Sequence, residues 1–391
     1  MYQRTQVDII AQRMREKDNP LIQVVVGPRQ TGKSTMIAQA LSKQTTPARS
    51  IAADETIAPN VEWLQEEWQQ ARNATTAAGY LLVIDEVQKI KGWPNAVKSL
   101  WDADRRVGLP LKIVLGGSSS MLLRHGLEDS LTGRFELIRS PHWSYAECKA
   151  AFGFSLDDFL FFGGFPGAAR LVADEARWRK YLRDAIIEPT ISQDVLELEP
   201  VRKPALMRAL FQLGAVYSGQ ELSYTKMLGQ LQDAGNTVTL AHYLTLLDKA
   251  GMVSALPKFS PKPIQQKKSS PKLMVHDTAL MTAMSQKSRE IYATDHELKG
   301  RLVESAVGAY LLARSGKDGF DVSWWREGNK EVDFVITQGD AITAIEVKSG
   351  HTAHQSGMAD FLKLYPHARR IVVGGAASGS VRLEDFLMGN A

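Results

Sequence analysis

Eight consecutive residues, Gly27-Pro28-Arg29-Gln30-Thr31-Gly32-Lys33-Ser34, fit the pattern G-x-x-x-x-G-K-[ST], whose chemistry is the cradling of a phosphate chain. Glycines let the backbone wrap an anion with its N–H groups turned inward. A helix starting at Lys33 would offer its positive end to the same anion. Lys33 would reach the β- and γ-phosphates, while Ser34, followed by Thr35, would present a hydroxyl to Mg²⁺. Residues 81–86, Leu-Leu-Val-Ile-Asp-Glu, read as a buried strand stopped by two carboxylates. Asp85 is placed to hold the water shell of the metal and Glu86 to polarise an attacking water. Ser118 and Ser119 follow a third apolar run, where a hydroxyl could sense the γ-phosphate; a plain turn is the alternative. Arg134, in Leu-Thr-Gly-Arg-Phe, could reach a γ-phosphate held by a neighbouring subunit, with a surface ion pair as the alternative.

A second constellation lies near the C-terminal end. Glu331-Val-Asp333-Phe-Val-Ile and Ala-Ile-Glu346-Val-Lys348 both alternate as strands do. If Gly339-Asp340 is a two-residue hairpin turn, Asp333 falls opposite Glu346, with Cβ atoms ~5 Å apart. Two carboxylates that close repel unless a proton or cation intervenes, and Lys348 shares the face of Glu346. A Mg²⁺ ion held there would lower the pKa of a bound water, and Lys348 would orient that water: the arrangement of metal-dependent phosphodiester cleavage. The alternative is a docking module whose charges form structural salt bridges.

The elements that must position these residues follow from periodicity. Residues 21–26, 81–84 and 111–115 are apolar, β-branched runs of the kind buried in parallel sheets. Helical patterns at 33–42, 61–76 and 93–101 alternate with them, which predicts a doubly wound α/β fold over residues 1–145. Residues 146–200 turn helical, punctuated by Phe-Gly-Gly-Phe-Pro-Gly at 162–167, which reads as a packed turn. Residues 201–290 show three short helices, a strand and a basic loop, the order of a winged helix-turn-helix. Its last helix begins at the capping residue Asn236 and would present Thr237, Thr239 and His242. None of these is an arginine, the commonest base reader, so shape rather than sequence would be read. Lys258, Lys262, Lys267, Lys268 and Lys272 in the following loop would neutralise DNA phosphates; a merely solvated loop is the alternative. Residues 291–391 read as a helix, three strands, a helix and a strand.

Composition sets outer bounds. The chain has 391 residues, 44% hydrophobic and 23% charged, which excludes wholesale disorder. Net charge is only +4, so nucleic-acid binding would have to rest on local distribution. A lone cysteine, Cys148, forbids an internal disulfide and, with an N-terminal stretch lacking a signal-peptide core, points to the cytoplasm, with nucleoid association open. No run approaches the ~20 apolar residues of a membrane span.

The phosphate motif, the Asp85-Glu86 strand end, Gly116-Gly117-Ser118 and Gly133-Arg134 together resemble the AAA+ branch of ring-forming P-loop ATPases. More narrowly, residues 20–145 are similar to a large group of bacterial and archaeal ATPases that carry Gly-Pro-Arg-Gln-x-Gly-Lys, Asp-Glu-x-Gln, Gly-Ser-Ser and Gly-Arg. This chain has Gly116 where that group often has Thr. The C-terminal acids resemble the PD-(D/E)XK restriction-endonuclease-like superfamily, Asp333 matching the first acid, Glu346-Val347-Lys348 the E-x-K element, and Glu304 the helical acid. The resemblance implies ATP with Mg²⁺, a helical lid at 146–200, a winged helix, a nuclease-like α/β domain and a homo-oligomer, expected to be a hexameric ring. The expected function is ATP-dependent processing of DNA, branched or Holliday-junction DNA among its substrates, with Mg²⁺-dependent incision. Two alternatives stay open: a nucleotide-switched scaffold with a silent nuclease fold, and a transcription regulator.

Overall fold

A computed structural model describes the chain apart from residues 17–18, 118–129, 196–202, 233–234, 262–268, 349–356, 376–378 and 391. It divides into two compact units, Met1–Pro141 and His142–Ala391.

In the first unit β1 (Ile22–Val26), β2 (Ala48–Ala52), β3 (Tyr80–Asp85), β4 (Leu111–Gly117) and β5 (Phe135–Arg139) form one parallel sheet in the order β2-β3-β4-β1-β5. The helices are α1 (Thr5–Arg15), α2 (Lys33–Leu41), α3 (Val61–Ala74) and α4 (Trp93–Arg106). Strand alternation divides the core between the two faces. Val24, Val26, Leu82 and Ile84 pack with Leu64 and Trp68 of α3 and Trp93 and Val97 of α4. Val25, Leu81 and Val83 pack with Val7, Ile10 and Met14 of α1 and Met36 and Ile37 of α2. The chain leaving β1 runs towards β2 on one side and the chain leaving β4 runs to β5 on the other, so the C-terminal ends of β1 and β4 form the switch point where ligands bind in such sheets. The phosphate motif occupies the β1 end. Three features depart from the sequence reading. Helix α1 and the edge strand β2 carry no strong apolar run, and β4 continues through Gly116 and Gly117 because its neighbours hold the backbone extended.

The second unit begins with α5 (Tyr145–Phe152) and α6 (Leu156–Phe162), each opened by a capping box, Ser144/Glu147 and Ser155/Asp158. After α7 (Glu175–Tyr181) the chain continues in π-helical turns, Leu182–Ile187 and Thr190–Val195. Next come α8 (Pro204–Val216), β6 (Gln220–Glu221), α9 (Tyr224–Gln230), α10 (Thr237–Lys249), β7 (Val253–Leu256) and β8 (Lys272–Val275). The three strands form an antiparallel sheet in the order β6-β8-β7. Helices α11 (Thr278–Met284), α12 (Arg289–Thr294) and α13 (His296–Asp318) lead into β9 (Asp321–Glu327), β10 (Lys330–Gln338), β11 (Ala341–Lys348) and β12 (Arg369–Gly374), with α14 (Met358–Leu364) and α15 (Leu383–Met388). The sheet order is β12-β11-β10-β9. The β10/β11 hairpin runs in register from Gln338↔Ala341 to Phe334↔Ile345 around Gly339, whose φ is +57°, as a two-residue Gly-Asp turn requires. One apolar cluster joins Leu256, Met274, Val307, Trp324 and Phe334, with Leu156 and Phe159 packed against it, so residues from the segments 146–200, 201–290 and 291–391 share a core.

The aromatic-glycine turn is tightly packed. Asp277 caps α11 and its carboxylate accepts N–H bonds from Gly164 (2.8 Å) and Ala279 (2.8 Å). A Cβ on Gly164 would lie 2.2 Å from the Trp143 carbonyl oxygen, and one on Gly163 would lie 1.9 Å from Asp277 Oδ1. By contrast Gly153, at φ +71°, has open space around it. Gly153→Ala should therefore cost only ~1 kcal/mol of backbone strain. Gly164→Ala should cost more, roughly 2–3 kcal/mol, at the upper end of the usual overpacking range. Chemical denaturation followed by tryptophan fluorescence measures both, and equal losses would contradict the packing account.

Candidate functional site

The phosphate loop begins where β1 meets β5. Ser140 N–H donates to Val26 O (2.7 Å), and the backbone there lies so close that a Cβ on Gly27 would sit 2.0 Å from Ser140 O. Only glycine fits. Gln30 and Gly32 take left-handed φ values of +61° and +87°, and such reversals turn successive N–H groups toward one concavity. Helix α2 starts directly after Gly32. Lys33 is buried, its ammonium donating to Gly27 O (3.0 Å) and Pro28 O (2.6 Å), inside the loop it would share with a phosphate chain. Pro28 and Arg29 are half-buried, whereas Gln30, Ser34 and Thr35 are exposed.

Arg4, which sequence reasoning did not single out, braces this loop from beneath. It is buried just before α1, and its guanidinium donates to Thr31 O (3.3 Å), Ser140 Oγ (3.1 Å) and Pro141 O (3.1 Å). Ser140 Oγ in turn donates to Thr31 Oγ1 (3.0 Å). No local pattern announces such a residue, because its partners lie 27 to 137 positions away.

Asp85 ends β3, two strands from β1, and its carboxylate lies against Gly116 of β4. A Cβ at position 116 would come within 2.3 Å of Asp85 Oδ1 and 3.1 Å of Ile37 Cδ1. In this chain the carboxylate takes up the space that a side chain at position 116 would need. Glu86 follows at φ +50°, its carboxylate receiving the Gln88 amide (2.7 Å). The donor set fits a nucleotide-bound Mg²⁺: a hydroxyl on the first turn of α2 and a carboxylate at a strand end, both at the C-terminal edge of the sheet. The sensor position, Ser118, and Ser119 lie outside the described residues. Arg134 is at the opposite edge of the sheet, where its carbonyl accepts the Ile22 N–H. It forms a two-pronged ion pair with Asp102 (2.8 and 3.1 Å), the bland alternative that its sequence left open.

The C-terminal acids are arranged differently from the expectation. One step past the last hairpin pair, Asp333 turns its carboxylate to the Val347 N–H (2.7 Å), and β10 is irregular against β9 between Val332 and Val335. Glu346 is buried and ion-paired to Lys348. Among the described residues, the group with ligand atoms all within 4.8 Å of one another is Glu304, Glu331 and Asp333. Glu331 thus belongs to the three-acid group in which Glu346 was expected; its signal was the Glu-x-Asp spacing on β10.

Lys272 requires a larger correction. Expected on an exposed wing, it is the first residue of β8 and only 1% exposed. Its ammonium lies 2.7 Å from Glu304 Oε1, 2.6 Å from Glu331 Oε1 and 4.0 Å from Asp333 Oδ1. Burial pulls this ammonium down, but the three carboxylates outweigh it and hold it above the ordinary lysine range. Burial pushes Glu331 up, yet Lys272 and Arg326 outweigh that and keep it below the usual carboxylate range. Burial pushes Asp333 up to about 7, with Glu304 adding to the shift and Lys272 opposing it. Of the expected Mg²⁺ ligands Glu304, Asp333 and Glu346, the first two face the Lys272 ammonium and the third is paired with Lys348, so the set does not fit a resident Mg²⁺ in this arrangement.

Of the other residues expected to touch DNA, Thr237 and His242 are exposed on α10, Thr239 is half-buried and bonded to the cap Asn236, and Lys258 is half-buried beside Trp324 of β9. Lys262, Lys267 and Lys268 lie outside the described residues. No helix among the described residues is long and apolar enough to cross a membrane.

Comparison with known proteins agrees with the first unit. Residues 19–149 match the family model of an AAA domain. Residues 153–290 and 299–385 match two domains of unknown function, DUF8612 and DUF4143. A curated relative, an uncharacterized protein of Haemophilus influenzae, is 23% identical over 388 residues, spanning 94% of this chain and 92% of its own. Among solved structures, a Walker-type ATPase of Pyrococcus abyssi is 16% identical, covers 73% of this chain and 96% of its own, and has a TM-score of 0.47. The Thermotoga maritima RuvB Holliday junction branch migration motor is 15% identical, covers 64% and 88%, and has a TM-score of 0.34. By its family match, sheet and loop, the N-terminal region is a P-loop ATPase domain of AAA type.

If Arg4 holds the loop in its anion-binding shape, Arg4→Ala should weaken ATP binding at least tenfold, since charged hydrogen bonds are worth ~1.5–3 kcal/mol each. Arg13→Ala, which removes bonds to Gln23 and Glu136 at the other end of β1, should leave affinity within twofold. Titration with a fluorescent ATP analogue reads both; matching losses would show that general destabilisation is responsible.

Proposed function

We propose that the protein is an ATP-hydrolysing switch whose second unit docks a partner, with DNA the leading class. The observation that carries hydrolysis is the seating of Asp85 against Gly116 with Glu86 next to it, at the sheet edge that holds the phosphate loop. In this reading the loop N–H groups and Lys33 bind the β- and γ-phosphates. Ser34 and Asp85 would hold Mg²⁺, which when bound offsets phosphate charge. Glu86, steadied by Gln88, orients the attacking water and takes up its proton. In a ring, Arg134 would serve the γ-phosphate of a neighbouring copy by exchanging Asp102 for it. The requirement for a partner copy is part of the proposal, as is a hexameric ring size.

Support for DNA docking comes from residues 204–275, where three helices and an antiparallel sheet follow the order of a winged helix and α10 presents Thr237 and His242 to solvent. Few base-reading groups are on offer, so duplex shape or branching would be recognised rather than sequence. Docking is favoured over incision because Glu346 is committed to Lys348 and the other acids to Lys272.

Purified protein should hydrolyse ATP with Mg²⁺. Lys33→Ala should lose nucleotide binding, and Glu86→Gln should bind ATP but turn over ~10²–10⁴-fold more slowly. Wild-type turnover matched by both variants would remove the hydrolysis reading. For DNA, competition among linear, forked and four-way junction substrates should show affinity falling as salt rises. An affinity flat with salt would dismiss the electrostatic account, and strong stimulation of turnover with strand separation would mark a motor rather than a switch.

A further inference from the structure

The acids and lysine of a metal-dependent phosphodiesterase are all present in the second unit, yet the fold gives their charge to another group. Glu304 projects from α13, and Glu331 and Asp333 from β10. Between them sits the Lys272 ammonium, at hydrogen-bonding distance from two of the three carboxylates. A dication bound through the same oxygens would need to approach each at ~2.0–2.1 Å. It would then stand within a few ångströms of the ammonium, where two cations in a buried site repel strongly. The ammonium and a metal therefore exclude one another.

Lys272 is also not free to leave. Its strand is the middle one of its sheet, and Lys272 itself is in register with Glu221 of β6 on one side and Leu256 of β7 on the other. Its stem passes the rings of Trp324 and Phe334, with Nζ 5.8 and 5.6 Å from their centroids. Withdrawing the ammonium would mean swinging a buried stem out from between these rings and stranding the carboxylates it pairs with. A second cation, Arg326, ties Glu331 to Glu221 of β6, so the same two sheets are joined twice by charge.

We propose that Lys272 is the resident cation of the Glu304/Glu331/Asp333 cluster in place of a divalent metal, making the cluster an ionic tie between β8 and the α13/β10 framework rather than a hydrolytic centre. The proposal deepens the docking reading, resting on it for what the second unit does, but it is independent of ATP hydrolysis. It also crosses a boundary that the family models draw: the lysine belongs to the segment 153–290 and the acids to the segment 299–385.

Terbium(III) is a suitable probe, because Trp324 beside the cluster would sensitise its luminescence. Full-length wild type and Glu304→Gln should give the same titration, meaning that no signal depends on the cluster. Lys272→Met, which keeps the stem and removes the charge, should gain a luminescent site at least ten times tighter than any in wild type. Adding Glu304→Gln to that variant should remove the gain, and terbium should raise the melting temperature of Lys272→Met but not of wild type. Wild-type luminescence that falls with Glu304→Gln would overturn the proposal, as would a folded Lys272→Met that gains no site. Should Lys272→Met fail to fold, the comparison of wild type with Glu304→Gln still decides. DNA affinity measured on the same samples separates failure of this proposal from failure of the docking reading.

Discussion

A buried ammonium must be surrounded by acceptors or lose its charge, and Lys272 organises much of the second unit by meeting that demand. Its carboxylate partners come from a helix and a strand far along the chain, and its own strand is held from both sides. Breaking such a group by removing one partner is far more costly than the net worth of the pair, because a charge is left stranded. This constraint fixes β8 against α13 and β10, and with them the apolar cluster of Met274, Val307, Trp324 and Phe334. It also sets the chemistry of the site, since oxygens that bind an ammonium are not available to a metal.

The first unit is governed by close backbone approach. Gly27 has no space for a side chain because the Ser140 carbonyl occupies it, and Gly116 has none because the Asp85 carboxylate occupies it. One glycine lets the phosphate loop join the sheet between β1 and β5; the other lets an acid lie at the edge where a metal-bound nucleotide would sit. Arg4 completes the arrangement by tying the loop carbonyl of Thr31 to the chain leaving β5. The loop is thus shaped before any ligand arrives, which lowers the ordering cost of binding.

Together these constraints describe a chain with one chemically equipped site and one charge-locked site. The equipped site has a loop shaped as an anion cradle, a hydroxyl and a carboxylate placed to take a metal, and a candidate water-orienting acid. The locked site has the composition of a nuclease and the charge balance of a salt-bridge hub. Similar residue inventories can therefore carry opposite functions, and the placement of a single lysine decides between them.

By itself the sequence determined the elements whose information is local: the phosphate loop between an apolar strand and a helix, the Asp85-Glu86 strand end, the capped α10, and the register of the β10/β11 hairpin. Each rests on spacing within some twenty residues and on rules of periodicity or turn chemistry. Only the tertiary structure decided where the charges go. Lys272 looked like one of five loop lysines until β8 carried it into the sheet. Arg4 had no motif, Glu331 was a neighbour of the expected acid, and Arg134 had Asp102 as a partner 32 positions away. Burial and ion pairing are properties of assembled neighbours, and the energy of a charge depends on what surrounds it rather than on the residues beside it in the chain.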